Sequence, residues 1–187
     1  MKTSITSLLI IFCFSILTYA QTPQDRATEL KEQAQSSLKQ KDYIKARYLF
    51  KKAYEAFAAR ENYPQAIECG VQANALYVRE NFYKEGFELC RDMEQLLWTG
   101  EQNKKKIFYD LRFLINKERL QMYTALKNPA QAKTQLDKLE ETANLAKNDS
   151  LTEVLLYTKA NYYYTFNQNT QGDACFRKLI NQYKERK

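Results

Sequence analysis

Apolar residues recur at three- and four-residue steps through two stretches near the start of the chain. These residues are Ala27, Leu30, Ala34 and Leu38, then Tyr43, Ala46, Phe50 and Ala53. A polar run, Gln40, Lys41 and Asp42, separates the two stretches. Because three- and four-residue steps place side chains on one face of a helix, this segment predicts two amphipathic helices joined by a tight turn.

Three later segments repeat the pattern, each with a small residue shortly after a polar turn. The equivalent small residues are Ala46, Gly86, Ala132 and Gly172, at steps of 40, 46 and 40 residues. Self-similarity at such a period predicts an array of helix pairs, here at 25–60, 64–99, 103–147 and 150–187. The third pair is predicted to have the longer first helix.

Helix-stopping and helix-capping residues mark the connections between the predicted pairs. Thr99 and Gly100 predict a stop between the second and third pairs. Before the fourth pair, Asp149 or Ser150 is predicted to cap a helix that begins near Leu151, with Glu153 completing a capping box. None of these linkers is long enough to separate two domains.

The first helix pair resembles the tetratricopeptide repeat. In that motif small residues, here Ala34 and Ala46, let two helices cross closely, and a larger residue, here Phe50, fills the space between repeats. The turn Lys41-Asp42-Tyr43 followed by Ala46 is similar to the family's glycine-aspartate-tyrosine signature, with Lys in place of Gly. The later copies are weaker, and their steps exceed the family's standard of about 34 residues.

This resemblance implies an all-α fold, a right-handed α-solenoid of about four antiparallel helix pairs. The residues that it assigns to packing within and between repeats are Ala34, Ala46, Phe50, Ala53, Gly86, Cys90, Ala132, Leu136, Ala160, Gly172 and Phe176. Low glycine and proline content, 4 and 3 residues, agrees with an ordered helical array.

Residues 1–20 differ from the rest of the sequence. Lys2 precedes an apolar run from Ile5 to Leu17, and the small residue Ala20 comes before polar Gln21. This pattern is typical of a cleavable secretory signal peptide. An uncleaved, membrane-anchoring start is the alternative, although the run is shorter than the roughly 20 residues that span a bilayer. We therefore expect an exported protein, periplasmic or anchored facing the periplasm, whose helical repeat domain covers 21–187.

Charge and composition argue against several classes of function. The net charge of +7, or +6 once Lys2 is removed, is scattered along the chain, so we expect no nucleic-acid binding by this segment. The sequence has no histidine, which removes the commonest general base and most zinc sites. Its glycines are isolated, and no two cysteines have metal-binding spacing. We expect no catalytic residues, no metal and no cofactor.

Three cysteines follow the predicted signal peptide, an odd number that cannot form a complete disulfide framework. Cys69 and Cys90 fall on successive predicted helices. A disulfide between them and ordinary burial as small apolar side chains both remain open.

Aromatic residues make up 13% of the chain and include the run Tyr162, Tyr163 and Tyr164. Three consecutive helical residues spread over roughly 200°, so at least one of these rings should face a groove or the surface. In a solenoid the first helix of each pair lines the concave face, where exposed aromatic and polar side chains anchor partners. The candidate contacts are Gln33, Ser37, Asn74, Tyr77, Arg119, Tyr123, Asn161 and Tyr162.

The last predicted helix has an apolar stripe, formed by Phe176, Leu179, Ile180 and Tyr183, with no predicted helix after it. Repeat arrays normally end in a polar cap. The stripe therefore faces inward, or a continuing chain covers it, or a partner covers it, a second copy in a homodimer included.

A signal peptide followed by divergent repeats is similar to the exported sensory region of membrane-bound bacterial regulators. This resemblance implies a non-catalytic module that binds a protein or peptide and acts as the sensory input or scaffold of a larger signalling protein. Membrane association would then come from a later part of that protein. The alternatives are a stand-alone periplasmic adaptor in envelope assembly and a binder of glycans or other small ligands.

Overall fold

The computed structural model describes residues 23–185, which form eight α-helices. The helices are α1 Pro23–Lys39, α2 Tyr43–Ala58, α3 Tyr63–Arg79, α4 Tyr83–Lys104, α5 Tyr109–Ala125, α6 Pro129–Ala146, α7 Asp149–Thr165 and α8 Asn169–Glu185. Each helix packs on its neighbours in the sequence, and α5 also contacts both α3 and α7. The protein is therefore all-α, as predicted, and its helices form a repeat-like array.

Similar turns join the helices. A non-glycine residue with positive φ precedes each of α2 to α8, and these residues are Lys41, Glu61, Asn81, Lys105, Lys127, Lys147 and Asn167. Four of the following helices begin at an Asp or Asn side chain that accepts a backbone N–H, namely Asp42, Asn62, Asn128 and Asn148. Such caps satisfy N–H groups that the first turn of a helix leaves unpaired.

The spacing of the helices is regular except at one place. Helices begin at residues 23, 43, 63 and 83, twenty apart, and again at 109, 129, 149 and 169, also twenty apart. The step from 83 to 109 is 26 residues, so six extra residues lie in the middle of the array. They lengthen α4 to 22 residues, whereas the other helices have 16 to 18. This irregularity is the origin of the 46-residue step in the sequence.

The predicted helix stop at Thr99 and Gly100 is wrong. Both residues lie within α4, which ends at Lys104. Gly100 is instead a packing position. A Cβ there would lie 2.9 Å from the Tyr63 ring, so the lack of a side chain leaves room for that ring. The longest helix is consequently α4, the second helix of its pair, and not the first helix of the third pair.

The predicted cap of the fourth pair lies one or two residues too late. Helix α7 begins at Asp149, and its cap is Asn148, whose side chain accepts the N–H of Ser150 at 3.0 Å. An Asn side chain caps as well as Asp or Ser does, so the three consecutive polar residues were equivalent by type alone.

Two clusters of buried apolar residues hold the array together. The larger one lies among α1 to α5 and includes Phe50, Ile67 and Met93. The smaller one lies among α5, α6 and α7 and includes Phe113 and Leu136. Helix α5 contributes to both clusters, so it joins the two halves. Within residues 23–185, no helix is long and apolar enough to cross a membrane, and the predicted signal peptide lies outside this range.

Candidate binding groove

A groove of about 430 Å³ lies between α4 and α6, with α5 as its floor. This volume is within the usual range of ligand sites in proteins. Its lining comes from three helices: Glu94, Leu97, Trp98 and Glu101 of α4, Tyr109, Arg112, Ile115 and Asn116 of α5, and Lys138, Glu141, Thr142 and Leu145 of α6. The lengthened part of α4 supplies Glu101, so the groove forms where the array departs from its regular spacing.

Cross-helix contacts fix how the three helices align along the groove. Helices α4 and α5 are antiparallel, since Glu101 pairs with Arg112 and Glu94 pairs with Arg119. Helices α5 and α6 are consecutive, are joined by the three-residue turn 126–128 and pack on each other, so they too are antiparallel, and Asn116 donates to Thr142 at 3.4 Å between them. We therefore take α4 and α6 to run in the same direction on either side of α5.

Two large apolar side chains face solvent on opposite sides of the groove. Trp98 of α4 is 63% exposed and Leu145 of α6 is 52% exposed, while Ile115 of the floor is buried. Trp98 is the only tryptophan in the sequence. Tryptophan is among the residues most enriched at the centres of protein interfaces, so its exposure here marks a candidate contact surface.

Two of the three acidic residues of the groove are held by arginines. Arg112 donates from Nε to Oε1 of Glu101 at 2.8 Å and makes a second contact from Nη2 to Oε2, and the N–H of Phe108 donates to Oε1 at 2.9 Å. Burial opposes ionisation of Glu101, but these hydrogen bonds outweigh it and lower the pKa of the carboxyl. Glu94 pairs with Arg119 at 2.6 Å. At neutral pH Glu101 is thus a fixed anion and a poor proton donor.

The predicted contact residues do not form one surface. Ser37, Asn74 and Tyr162 are buried, with at most 5% of each exposed, so they cannot meet a partner in this structure. Gln33 and Asn161 are exposed. The half-buried residues are held by neighbours: Tyr77 lies under the Arg47 guanidinium at 4.8 Å, Tyr123 packs on Phe87, and Arg119 pairs with Glu94 at one end of the groove.

Asn74 shows why one of these predictions failed. Counted from the start of its helix, it occupies the position of Ala34 in α1 and Ala160 in α7, where paired helices cross. Its amide donates to the buried Glu118 carboxylate at 3.0 Å, and a Cβ on Gly86 would lie 3.1 Å from its Oδ1. Asn74 is therefore a packing residue, for which the glycine makes room.

The residues assigned to packing are nearly all buried. Those with at most 1% exposure are Ala34, Ala46, Phe50, Ala53, Cys90, Ala132, Leu136 and Ala160, and Gly86 and Gly172 are also buried. Phe176 is only half-buried and packs against the rings of Tyr157 and Tyr164. It lies in the last helix, where no further pair is described to cover it.

The tyrosine run and the last helix both have large side chains that are exposed to solvent. Of the three tyrosines, Tyr164 is the exposed one at 38%, and its hydroxyl bonds Asp173, whereas Tyr162 is buried. On the last helix, Ile180 and Tyr183 are each about half exposed. The apolar stripe therefore does not face wholly inward. Exposure does not mean that these side chains leave the α7–α8 contact, because Tyr164 packs on Phe176 and the Tyr183 hydroxyl donates to Glu153 at 3.0 Å.

The cysteines of residues 23–185 are free. Cys69, Cys90 and Cys175 are all buried, and the disulfide considered between the first two is not formed. Burial raises the pKa of the Cys69 thiol to about 11 and that of Cys90 to about 12. No group of three or more His, Cys, Asp or Glu side chains that could hold a metal ion is found in this part of the chain.

The sequence matches no protein-family model and no curated protein. The class that the fold defines is an all-helical, repeat-like protein of eight described helices, compatible with a tetratricopeptide-like repeat. The groove adds to this class one exposed, aromatic-containing candidate contact surface.

Proposed function

We propose that this protein is a tetratricopeptide-like, right-handed α-solenoid that binds a protein or peptide without catalysing a reaction. We further propose that it acts in the bacterial envelope, as the sensory input or scaffold of a larger signalling protein. The repeat-like fold and the close-packed alanines support the first statement. The signal-like residues 1–20 and the resemblance to exported sensory regions support the second.

The groove between α4 and α6 carries the proposal. Natural repeat arrays use extended surfaces for binding, and here the six additional residues of the array lengthen one wall of a groove. Trp98 and Leu145 expose large apolar areas on its two sides. Leaving both in water is unfavourable, and a partner that covers them gains roughly 25 cal/mol for each Å² of apolar surface removed from water.

The charged side chains of the groove are better suited to binding a partner than to catalysing a reaction. Glu94 and Glu101 are ion-paired, and the pKa of Glu101 is lowered, so the two are unsuited to share a proton in general acid–base catalysis. The half-exposed guanidinium of Arg112 has further N–H groups beyond those that hold Glu101. These groups are available to a carboxylate or carbonyl of a partner.

Photo-crosslinking tests the proposal directly. A photoreactive phenylalanine analogue replaces Trp98 in the protein expressed in its source cells, and the matched control carries it at Tyr48, which is 61% exposed on α2 and remote from the groove. We expect a discrete protein adduct from position 98 that position 48 does not give. The absence of a discrete adduct from position 98, at full expression, would contradict protein binding by the groove.

The intact mass of the native gene product tests the larger-protein part of the proposal. A mass well above the 22.1 kDa of this chain is expected for the input segment of a regulator. A mass slightly below it, with Gln21 at the N-terminus, would favour the stand-alone periplasmic adaptor.

A further inference from the structure

The last helix pair has an apolar face that no helix within residues 23–185 covers. We call it the end face, and it comprises Val154, Tyr157 and Tyr164 of α7 and Phe176, Ile180 and Tyr183 of α8. The ring of Phe176 packs on the rings of Tyr157 and Tyr164, so it joins the two helices. Phe176 is half-buried, and the other five side chains are exposed. The end face is therefore one continuous apolar surface.

The end face corresponds, position by position, to a face of the first helix pair. Helix α7 begins 126 residues after α1, at 149 against 23, and α8 begins 126 residues after α2, at 169 against 43. The counterparts of Tyr157, Phe176, Ile180 and Tyr183 are Lys31, Phe50, Tyr54 and Phe57. The three aromatic counterparts on α2 are buried. The same positions of α2 and α8 are thus covered in one pair and open in the other.

Helix α3 covers this face of the first pair. Lys31 donates to the side chains of Gln65 and Glu68 of α3, each at 2.8 Å. A Cβ on Gly70 of α3 would lie 3.2 Å from the Tyr54 ring, so the two helices touch there. The end face is therefore the surface on which the array receives its next helix.

One position makes this contact in every earlier pair. The twelfth residues of the second helices are Tyr54, Glu94, Glu140 and Ile180. Glu94 pairs with Arg119 of α5 at 2.6 Å, and Glu140 pairs with Lys159 of α7 at 2.8 Å, so each contacts the first helix of the next pair. Ile180 offers an apolar side chain where these two offer a carboxylate. Whatever covers it should therefore be apolar rather than cationic.

We infer that two copies of this chain associate through their end faces around a twofold axis, each covering the other. A head-to-tail contact of α8 with α1 of another copy is unsuitable, because every exposed residue of α1 within 26–39 is polar or charged. Helix α1 has the polar outer side that repeat arrays need at an end. A second end face is apolar, and pairing of identical surfaces closes the assembly at two copies.

The charges around the end face allow it to meet its own copy. Its two neighbouring acids already accept hydrogen bonds from its tyrosines, Asp173 from the Tyr164 hydroxyl and Glu153 from the Tyr183 hydroxyl at 3.0 Å. The exposed cations of α8, among them Lys184, lie roughly 90° or more around the helix from the centre of its apolar stripe. Like charges are therefore not forced together at the centre of the contact.

The area agrees with a dimer of modest affinity. Full burial of an aromatic side chain removes roughly 150–250 Å² from water, so the three exposed tyrosines, with Ile180 and Val154, offer roughly 400 Å² of apolar area per copy. At the roughly 65% apolar share of a homodimer interface, two copies together bury about 1,200 Å². Specific interfaces begin at about this size. We therefore expect dissociation in the micromolar range.

Sedimentation of the purified native gene product over a dilution series tests the inference. We expect a dimer that dissociates as the protein is diluted. A product that is still monomeric at about 100 µM would overturn the inference, because a contact of this size should associate there. That result includes the case in which a later part of the same chain covers the end face.

Variants locate the contact. Ile180→Lys places a charge at the centre of the interface and should weaken the dimer at least about tenfold, and Tyr157→Lys on α7 should act in the same direction. The matched control Ile44→Lys changes an isoleucine of α2 that is 69% exposed, and it should leave the dimer unchanged. Circular dichroism confirms that each variant is folded. A dimer that survives both substitutions in the end face, or that the control also breaks, would contradict this contact.

Cysteine crosslinking tests the twofold axis. Ile180 lies near the middle of its stripe, so the axis brings its two copies close together. Mild oxidation of Ile180→Cys should link two chains, whereas Ile44→Cys should give no link, and the native cysteines of residues 23–185 are buried. A dimer without this link would rule out the twofold arrangement. Trp98 is not part of the end face, so these results are independent of binding by the groove.

Discussion

The pair formed by Glu101 and Arg112 joins the end of the lengthened α4 to the start of α5, and its removal gives a sharp prediction. The side chain of Glu101 is only 5% exposed, whereas that of Arg112 is 46% exposed. Breaking a fully buried pair costs about 3–5 kcal/mol, and an exposed pair is worth about 0–1 kcal/mol. Because one partner is buried and the other half exposed, we expect Arg112→Ala to lower the free energy of unfolding by about 2 kcal/mol.

Urea denaturation at neutral pH measures this loss. A change of that size corresponds to a decrease in Tm of about 4–8 °C in a chain of this length. Arg112→Lys keeps the charge but loses the two-pronged geometry, so it should give a smaller loss. The matched control is Lys52→Ala, which removes an exposed pair with Glu55 within one helix. If Arg112→Ala costs no more than this control, the assignment of Glu101 as a buried, arginine-dependent anion is wrong.

The pH dependence of the same variants has a definite sign. The folded state lowers the pKa of Glu101 below its ordinary value of 4.5, despite burial, through its bonds to Arg112 and the Phe108 N–H. The stability that this carboxylate contributes is therefore fully present above about pH 4.5 and is lost as pH falls through the lower, folded-state pKa. The difference between wild type and Arg112→Ala should narrow in that acidic range. A difference that stays constant down to pH 3 would contradict the pairing.

Three further changes test the packing. Gly100→Leu should destabilise the protein by about 1–3 kcal/mol in urea denaturation because its side chain meets the Tyr63 ring, and this loss should be smaller when the same change is made in a Tyr63→Ala background. Asn74→Ala removes the amide donor of the buried Glu118 carboxylate, so the same assay should show a loss of about 1–3 kcal/mol. Since burial raises the pKa of Cys69 to about 11, this thiol should resist a disulfide reagent at pH 8 until the protein unfolds, and rapid labelling of the native protein would contradict its burial.

The helix pairs were predictable because their determinants are local. Alanine and glycine at recurring positions, aspartate and asparagine caps, and apolar faces at helical spacing all act within one or two turns of the residue concerned. The helix stop predicted at Gly100 was wrong because glycine is compatible with both the end and the interior of a helix. Its actual role depends on the approach of Tyr63 from another helix, and this contact spans 37 residues of sequence.

The groove was harder to predict because it depends on how three helices align. Trp98 gave a signal as the single tryptophan, and the 46-residue step marked the irregular repeat, but neither shows which side of α4 stays uncovered. The assumption that first helices present the contact surface led to Asn74, Ser37 and Tyr162, which are buried. Asn74 occupies the same position of the repeat as Ala34, which was assigned to packing. This equivalence would have indicated that Asn74 is buried.

The most direct test of the account is hydroxyl-radical footprinting of Trp98 in intact source cells and in the purified protein, with Tyr48 as the internal control. Both side chains are more than 60% exposed in the isolated structure, so both should be oxidised readily in the purified protein. If a partner occupies the groove, Trp98 should be protected in cells while Tyr48 remains reactive. Equal oxidation of Trp98 in cells and in the purified protein, or protection of Tyr48 alone, would contradict the groove as the contact surface.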